Sequence, residues 1–152
     1  MRARTIDSDS LGASLRRMTA VEDLASLPIF AALPPDQVER LAKHAEVLDV
    51  AAGTELTHEG RYEGPVYAVV SGYVGIQRGG KTVDTVGPGG FLGEIAAIDG
   101  GARTATGWAI EDARVVAISP RQFNEILDEA PDLRAAVMGA MEERLARIDP
   151  GS

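Results

Sequence analysis

Cysteine is absent from all 152 residues. That excludes a disulfide framework, thiolate zinc sites and thiol catalysis, and it fits a reducing compartment. Aromatic side chains make up only 5% of the chain, with a single tryptophan, so aliphatic and alanine packing must build the core. A basic excess is also missing: 15 Lys and Arg stand against 23 Asp and Glu, for a formal net charge of −8. A broad nucleic-acid face is thereby excluded, because phosphate contacts need a basic surface. A pocket for one anion depends on its local field and stays open. No apolar run reaches the length of a membrane span. The N-terminal MRARTIDSDS has arginines but no apolar stretch behind them, so it does not read as a secretory signal. These features imply a soluble, cytoplasmic protein with no membrane partner. Histidine occurs only at His44 and His58, too few for a clustered metal site of the cupin type. No nucleophile–base pair stands out, so neither metal nor catalysis is expected.

The chain is short enough for one domain and long enough to bury a core unaided. Residues 1–18 mix Arg2, Arg4, Arg16 and Arg17 with Ser, Asp and Gly, and read as a flexible tail. The domain is expected over 19–152, with helices in 19–45, a β-roll over 46–119 and C-terminal helices over 120–148. Thr19 with Glu22 is a capping-box pattern, followed by Val21, Leu24 and Ala25 on one helical face. Pro28 ends that helix, and Ile29-Phe30 is expected to be buried. A second helix begins at Pro34-Pro35-Asp36, with Val38, Leu41, Ala42 and Ala45 at helical spacing. His44 suits the negative end of its dipole.

From Glu46 the hydrophobic period shortens to two. Strands are predicted at 46–52, 54–58, 65–71, 73–78, 81–86, 104–110 and 113–119, seven or eight in all. Gly79-Gly80 marks a hairpin. No segment between strands is long enough for crossover helices, so the fold class is mainly β with flanking helices, an antiparallel jelly-roll barrel. Ser119-Pro120-Arg121-Gln122 starts another helix, with Phe123, Ile126 and Leu127 facing the core. The last helix opens at Pro131. It carries Leu133, Ala136, Val137, Ala140, Met141, Leu145 and Ile148 as an apolar stripe that must cover something.

The chain is organised around residues 87–106, GPGGFLGEIAAIDGGARTAT. Glycines loosen both ends of a segment holding the acid Glu94 and one base, Arg103; its other acid, Asp99, reads as a turn residue. Read from the residues alone, the two charges form either an internal ion pair that ties the loop or a site for a ligand with an anionic group and a hydroxyl. Trp108 reads as barrel core or as a stacking surface for a base.

Three stretches together resemble a cyclic-nucleotide-binding domain, the family of bacterial catabolite-activator-type regulators, protein kinase A regulatory subunits and cyclic-nucleotide-gated channels. Gly53-Thr54-Glu55-Leu56 running to Gly60 resembles the family's glycine-flanked early strand. Tyr67-Ala68-Val69-Val70-Ser71-Gly72-Tyr73-Val74 is similar to its aromatic-aliphatic strand ending in glycine. FLGEIAAIDGGARTAT resembles its phosphate-binding cassette. Two departures stand out: Leu92 separates Phe91 from Gly93, and Ala102 replaces the usual proline before the arginine.

The resemblance implies that the cassette binds a cyclic nucleotide, with cAMP the leading ligand and cGMP the alternative. Gly93, Glu94, Ile95, Ala96, Arg103, Thr104 and Ala105 are its candidate contacts. Arg103 would hold the cyclic phosphate through a planar, always-charged guanidinium. Backbone N–H groups of Ile95 and Ala96 would add donors. Thr104 would follow with its hydroxyl and N–H. Glu94, helped by the Gly93 backbone, would accept from the ribose 2′-hydroxyl. Val137, Met138, Met141 and Leu145 are candidates for a lid over the base, against a role in core or dimer packing. No resident cofactor is implied. About 30 residues follow the roll, too few for a DNA-reading domain as well as a lid. Output would then run through a homodimer or an effector protein at the C-terminal helix, or through a larger protein of which this is a piece. The rival expectation is a degenerate, non-binding scaffold of the same fold.

Overall fold

A computed structural model describes residues 20–31, 33–58, 60, 64–93 and 105–148. Residues 20–25 are helical (α1), burying Ala20 and Leu24 and leaving Ala25 exposed, outside the inward face expected for it. A 3-10 turn, Pro28–Phe30, follows and buries Phe30, while Ile29 stays half-exposed. Helix α2, Pro35–Lys43, has proline in its first turn, Asp36 near its positive end, and Arg40 and Lys43 near its negative end. Its inward face is Val38, Leu41 and Ala42. Ala45, expected to prolong that face, is instead the first residue of β1 and pairs with Ile118. It still packs on the same core, so its apolar spacing marked burial while strand pairing set its conformation.

Eight strands follow among the described residues: β1 Ala45–Val50, β2 Glu55–Thr57, β3 Val66–Ser71, β4 Val74–Arg78, β5 Lys81–Val86, β6 Phe91–Leu92, β7 Thr106–Ala109 and β8 Ala113–Ile118. Two four-stranded sheets form, in the orders β1-β8-β3-β6 and β2-β7-β4-β5, and their strand pairs are antiparallel. This is jelly-roll order, as expected, but no strand pair among the described residues joins one sheet to the other. Side chains packed between the sheets hold the roll, so it is not a hydrogen-bonded barrel. Gly79 and Gly80, at φ +59° and +83°, make the β4–β5 turn, a conformation that matches the twist of its strands. Strand β6 went unread in the sequence because its two residues sit among glycines. Its partners, Tyr67 and Ala68 of β3, lie far away in the chain.

The inner strands β8 and β3 are buried on both faces over most of their length, which is why they read as nearly continuous apolar runs. Val66, Ala68, Phe91, Val116 and Ile118 pack against the helices. Tyr67, Val69, Leu92 and Val115 pack against Val74, Ile76 and Val86 of the second sheet. The three phenylalanines meet on the helix side. Phe91 makes edge contacts with Phe30 (centroids 5.7 Å apart) and Phe123 (5.8 Å).

Helix α3, Pro120–Glu129, starts as expected, with Ser119 Oγ accepting from the Gln122 N–H, and buries Phe123, Ile126 and Leu127. Helix α4, Pro131–Ile148, lies against α3, the 3-10 turn and β5. Among its described residues, the apolar stripe is most buried at the start. Leu133 and Val137 are buried, Ala136 and Ala140 are exposed and Met141 is half-buried; the side chains of Leu145 and Ile148 lie outside the described set. Val137, one of the candidates for a base lid, belongs to the helix-side core. Arg114 on β8 ties α1 to the sheet through Asp23 (Nε to Oδ2, 2.9 Å). That hydrogen bond, helped by the fields of Asp23 and Asp49, raises the Arg114 pKa against the opposing effect of burial. Arg40 joins α2 to α3 through Glu129.

Two stability outcomes are expected. Phe91→Ala removes the ring that both other phenylalanines touch and should cost about 3–5 kcal/mol in urea denaturation. Gln37 Oε1 is buried with no hydrogen-bond partner among the described residues, and an unsatisfied buried acceptor costs roughly 1–3 kcal/mol. Gln37→Met keeps the helix propensity and should therefore raise the melting temperature, by about 2–4 °C.

Candidate functional site

Of the expected ligand contacts, Gly93 and Ala105 are described; Glu94, Ile95, Ala96, Arg103 and Thr104 lie outside the described residues, as does Ala102. The structure therefore defines the two stems between which the candidate segment runs. The first stem is β6 with Gly93. Phe91 is 3% exposed and Leu92 2%, so the leucine inserted after Phe91 does not dislodge it. The two side chains point to opposite faces of the sheet. Gly93 then turns the chain at φ +83°, a left-handed conformation that costs other residues roughly 1–2 kcal/mol.

The second stem is Ala105 with β7. Ala105 belongs to the core between the sheets. Although β6 and β7 belong to different sheets, the stems touch. A Cβ placed on Gly107 would lie 2.5 Å from Leu92 Cδ2 and 3.1 Å from Thr57 Oγ1. Glycine is required there by this close approach. Thr57 completes the contact: its hydroxyl donates to the Ala105 carbonyl (3.2 Å) and accepts from the Gly107 N–H (2.9 Å).

The stems carry no charge. The charged residues of the segment between them are Glu94, Asp99 and Arg103. Leu48, Leu56, Val83 and Ala117 are half-buried and pack against the inter-sheet core to which Leu92 and Ala105 belong.

Trp108 is not in the barrel core, one of the two places expected for it. It pairs with Gly75, whose missing side chain makes room for the indole: a Cβ there would lie 2.5 Å from Trp108 Cη2. Val74 and Ile76, on either side of Gly75, point into the roll, so Trp108 lies half-buried on the outer face. Thr57 was missed altogether. Its only signal was a hydroxyl in a strand, which propensity alone explains.

Two further hollows involve neither Gly93 nor Ala105. A groove of about 410 Å³ runs between the 3-10 turn, the start of α2 and the α3–α4 joint, lined by Ile29, Leu33, Gln37, Ala130 and Leu133 among others. A shallow basin of about 450 Å³ is lined by Asp49, Ser71, Asp112 and Arg114 among others. His44 is exposed at the end of α2, and His58 Nδ1 sits 3.2 Å from Glu55 Oε1 at the exposed end of β2.

The family profile described as "Cyclic nucleotide-binding domain" matches residues 47–130, more than half of the chain. The chain belongs to the cyclic nucleotide-binding domain family. The match runs from β1 into the end of α3 and takes in both stems. An uncharacterised NTE family protein of Mycobacterium tuberculosis is 32% identical over 128 residues, covering 84% of this chain and 22% of that protein. A human potassium/sodium hyperpolarization-activated cyclic nucleotide-gated channel is 30% identical over 125 residues, 82% of this chain and 10% of the channel. The catabolite activator protein of Thermus thermophilus superposes with a TM-score of 0.65 at 26% identity, covering 80% of this chain and 60% of that one. The chain thus spans about a fifth or less of the length of the first two relatives. Cyclic nucleotide-binding domains are regulatory units rather than catalysts. No helix among the described residues is long and apolar enough to cross a membrane.

Gly107→Ala tests the stem contact. The methyl group must displace Leu92 or Thr57 in a packed core, at a cost of roughly 1–3 kcal/mol. A clear drop in urea midpoint with an unchanged m-value is the expected result.

Proposed function

We propose that this domain senses a cyclic nucleotide held by residues 93–105, with cAMP as the leading ligand and cGMP as the alternative. One observation carries the reading: the stems of the segment, from two different sheets, are locked together at Leu92, Thr57 and Gly107. The segment between them has the acid and base that the family pattern requires. In this reading the Arg103 guanidinium bonds two oxygens of the cyclic phosphate. The Ile95 and Ala96 N–H groups and the Thr104 hydroxyl add neutral donors. Glu94, beside the Gly93 backbone, accepts from the ribose 2′-hydroxyl. Ala105 keeps its small side chain in the core and leaves the phosphate side open.

The signal leaves through α4. A ligand shifts a conformational equilibrium only by its difference in affinity for the two states, so the moving part must touch the roll in one state and less in the other. Helix α4 meets that need, since Leu133 and Val137 pack in the core and the helix touches β5 while Ala140 is exposed. The outward side would serve a homodimer or an effector, and in a longer protein it would pass the signal to the neighbouring domain. The same uncovered side favours the second reading, a scaffold of this fold that binds no nucleotide.

Calorimetric titration with cAMP and cGMP, run beside Arg103→Ala, decides between them. Removing one side of a buried charged contact costs roughly 2–5 kcal/mol. The variant should therefore bind at least about 30-fold more weakly. Absence of heat and of any thermal shift with both nucleotides overturns the sensing reading and leaves the scaffold.

A further inference from the structure

Among the described residues, Thr57 is the one polar side chain buried in the core, at 7% exposure. It sits where the β2–β7 ladder loses register: Glu55 pairs with Trp108 and Thr57 with Gly107, so two steps on β2 match one on β7. A bulge of this kind leaves backbone groups without ladder partners. The Thr57 hydroxyl supplies two of them, taking the Gly107 N–H at 2.9 Å and giving its own proton to the Ala105 carbonyl at 3.2 Å. A hydroxyl can accept and donate at once. Valine has nearly the same shape and can do neither, while serine can do both.

The position matters because Ala105 directly follows Thr104 and Arg103. The direction in which the chain enters β7 determines where those two side chains begin. Leu92, last residue of the other stem, packs on Gly107, the residue whose N–H Thr57 accepts. One side chain on β2 therefore touches the point where both stems converge.

We propose that Thr57 is a positioning residue for ligand binding: it does not contact the nucleotide, but sets the affinity of residues 93–105 by fixing Ala105 and Gly107. This inference rests on the sensing reading above. A purely structural role predicts a different outcome, in which losing the hydroxyl lowers stability and leaves affinity alone.

The test compares wild type with Thr57→Val, Thr57→Ser and Ile118→Val. The last trims a fully buried residue of the helix-side core and serves as a control for lost stability. Calorimetry with cAMP and cGMP is run well below every melting temperature, and exchange of the Gly107 amide proton is followed in parallel. Thr57→Val should weaken binding by about tenfold, the equivalent of one buried hydrogen bond, and speed Gly107 exchange. Thr57→Ser should restore most of the affinity, and Ile118→Val should bind like wild type. Unchanged affinity in Thr57→Val, or an equal loss in Ile118→Val, overturns the inference alone. A wild type that binds neither nucleotide overturns the sensing reading and this inference with it.

Discussion

Phe91 and Leu92 are neighbours that face opposite ways, and the fold depends on that. Phe91 enters the core between sheet and helices, where it meets Phe30 and Phe123. Leu92 enters the core between the two sheets and reaches across to Gly107. A strand of only two residues is thus fixed by apolar burial on both sides more than by its ladder. Fully burying a large apolar side chain contributes about 1.5–3 kcal/mol. In a chain with so few aromatic residues, this pair is an important part of what joins helices, first sheet and second sheet.

The ion pairs play a smaller part. Arg40–Glu129, Arg121–Glu125 and Arg134–Asp128 lie at the surface, where such contacts contribute roughly 0–1 kcal/mol. They align helices that burial already holds. Arg114–Asp23 is better protected and joins α1 to β8. The arrangement leaves the stems of the candidate segment neutral and tightly packed. Helix α4 is the opposite case. Leu133 and Val137 in its first turns belong to the core, whereas Ala140, Glu142 and Glu143 are exposed.

Local signals were legible where chemistry acts over a few residues. Ser119 and Pro120 start a helix because a side-chain acceptor and a fixed φ suit its first turn. Gly79-Gly80 makes a hairpin because both residues adopt positive φ. Helix faces such as Val38, Leu41 and Ala42, or Phe123, Ile126 and Leu127, arise from the 3.6-residue repeat. The family itself was legible, because its glycines, aromatic-aliphatic strand and Glu–Arg spacing are short patterns that stand in the chain in order.

The chain alone, then, determined most of the helix, turn and strand segments, and which family they compose. Tertiary structure decided the rest. Period-two alternation says that neighbouring residues face opposite ways, but not which of them faces inward; Trp108 lies outside because Gly75, on another strand, leaves room for it there. Ala45 became strand because Ile118 offers it a partner. Strand β6 exists because β3 pairs with it. Thr57 is held in the core because a register shift leaves two backbone groups near β7 for its hydroxyl. Each of these outcomes depends on a residue far away in sequence, and distant contacts leave no periodic trace in the chain that makes them.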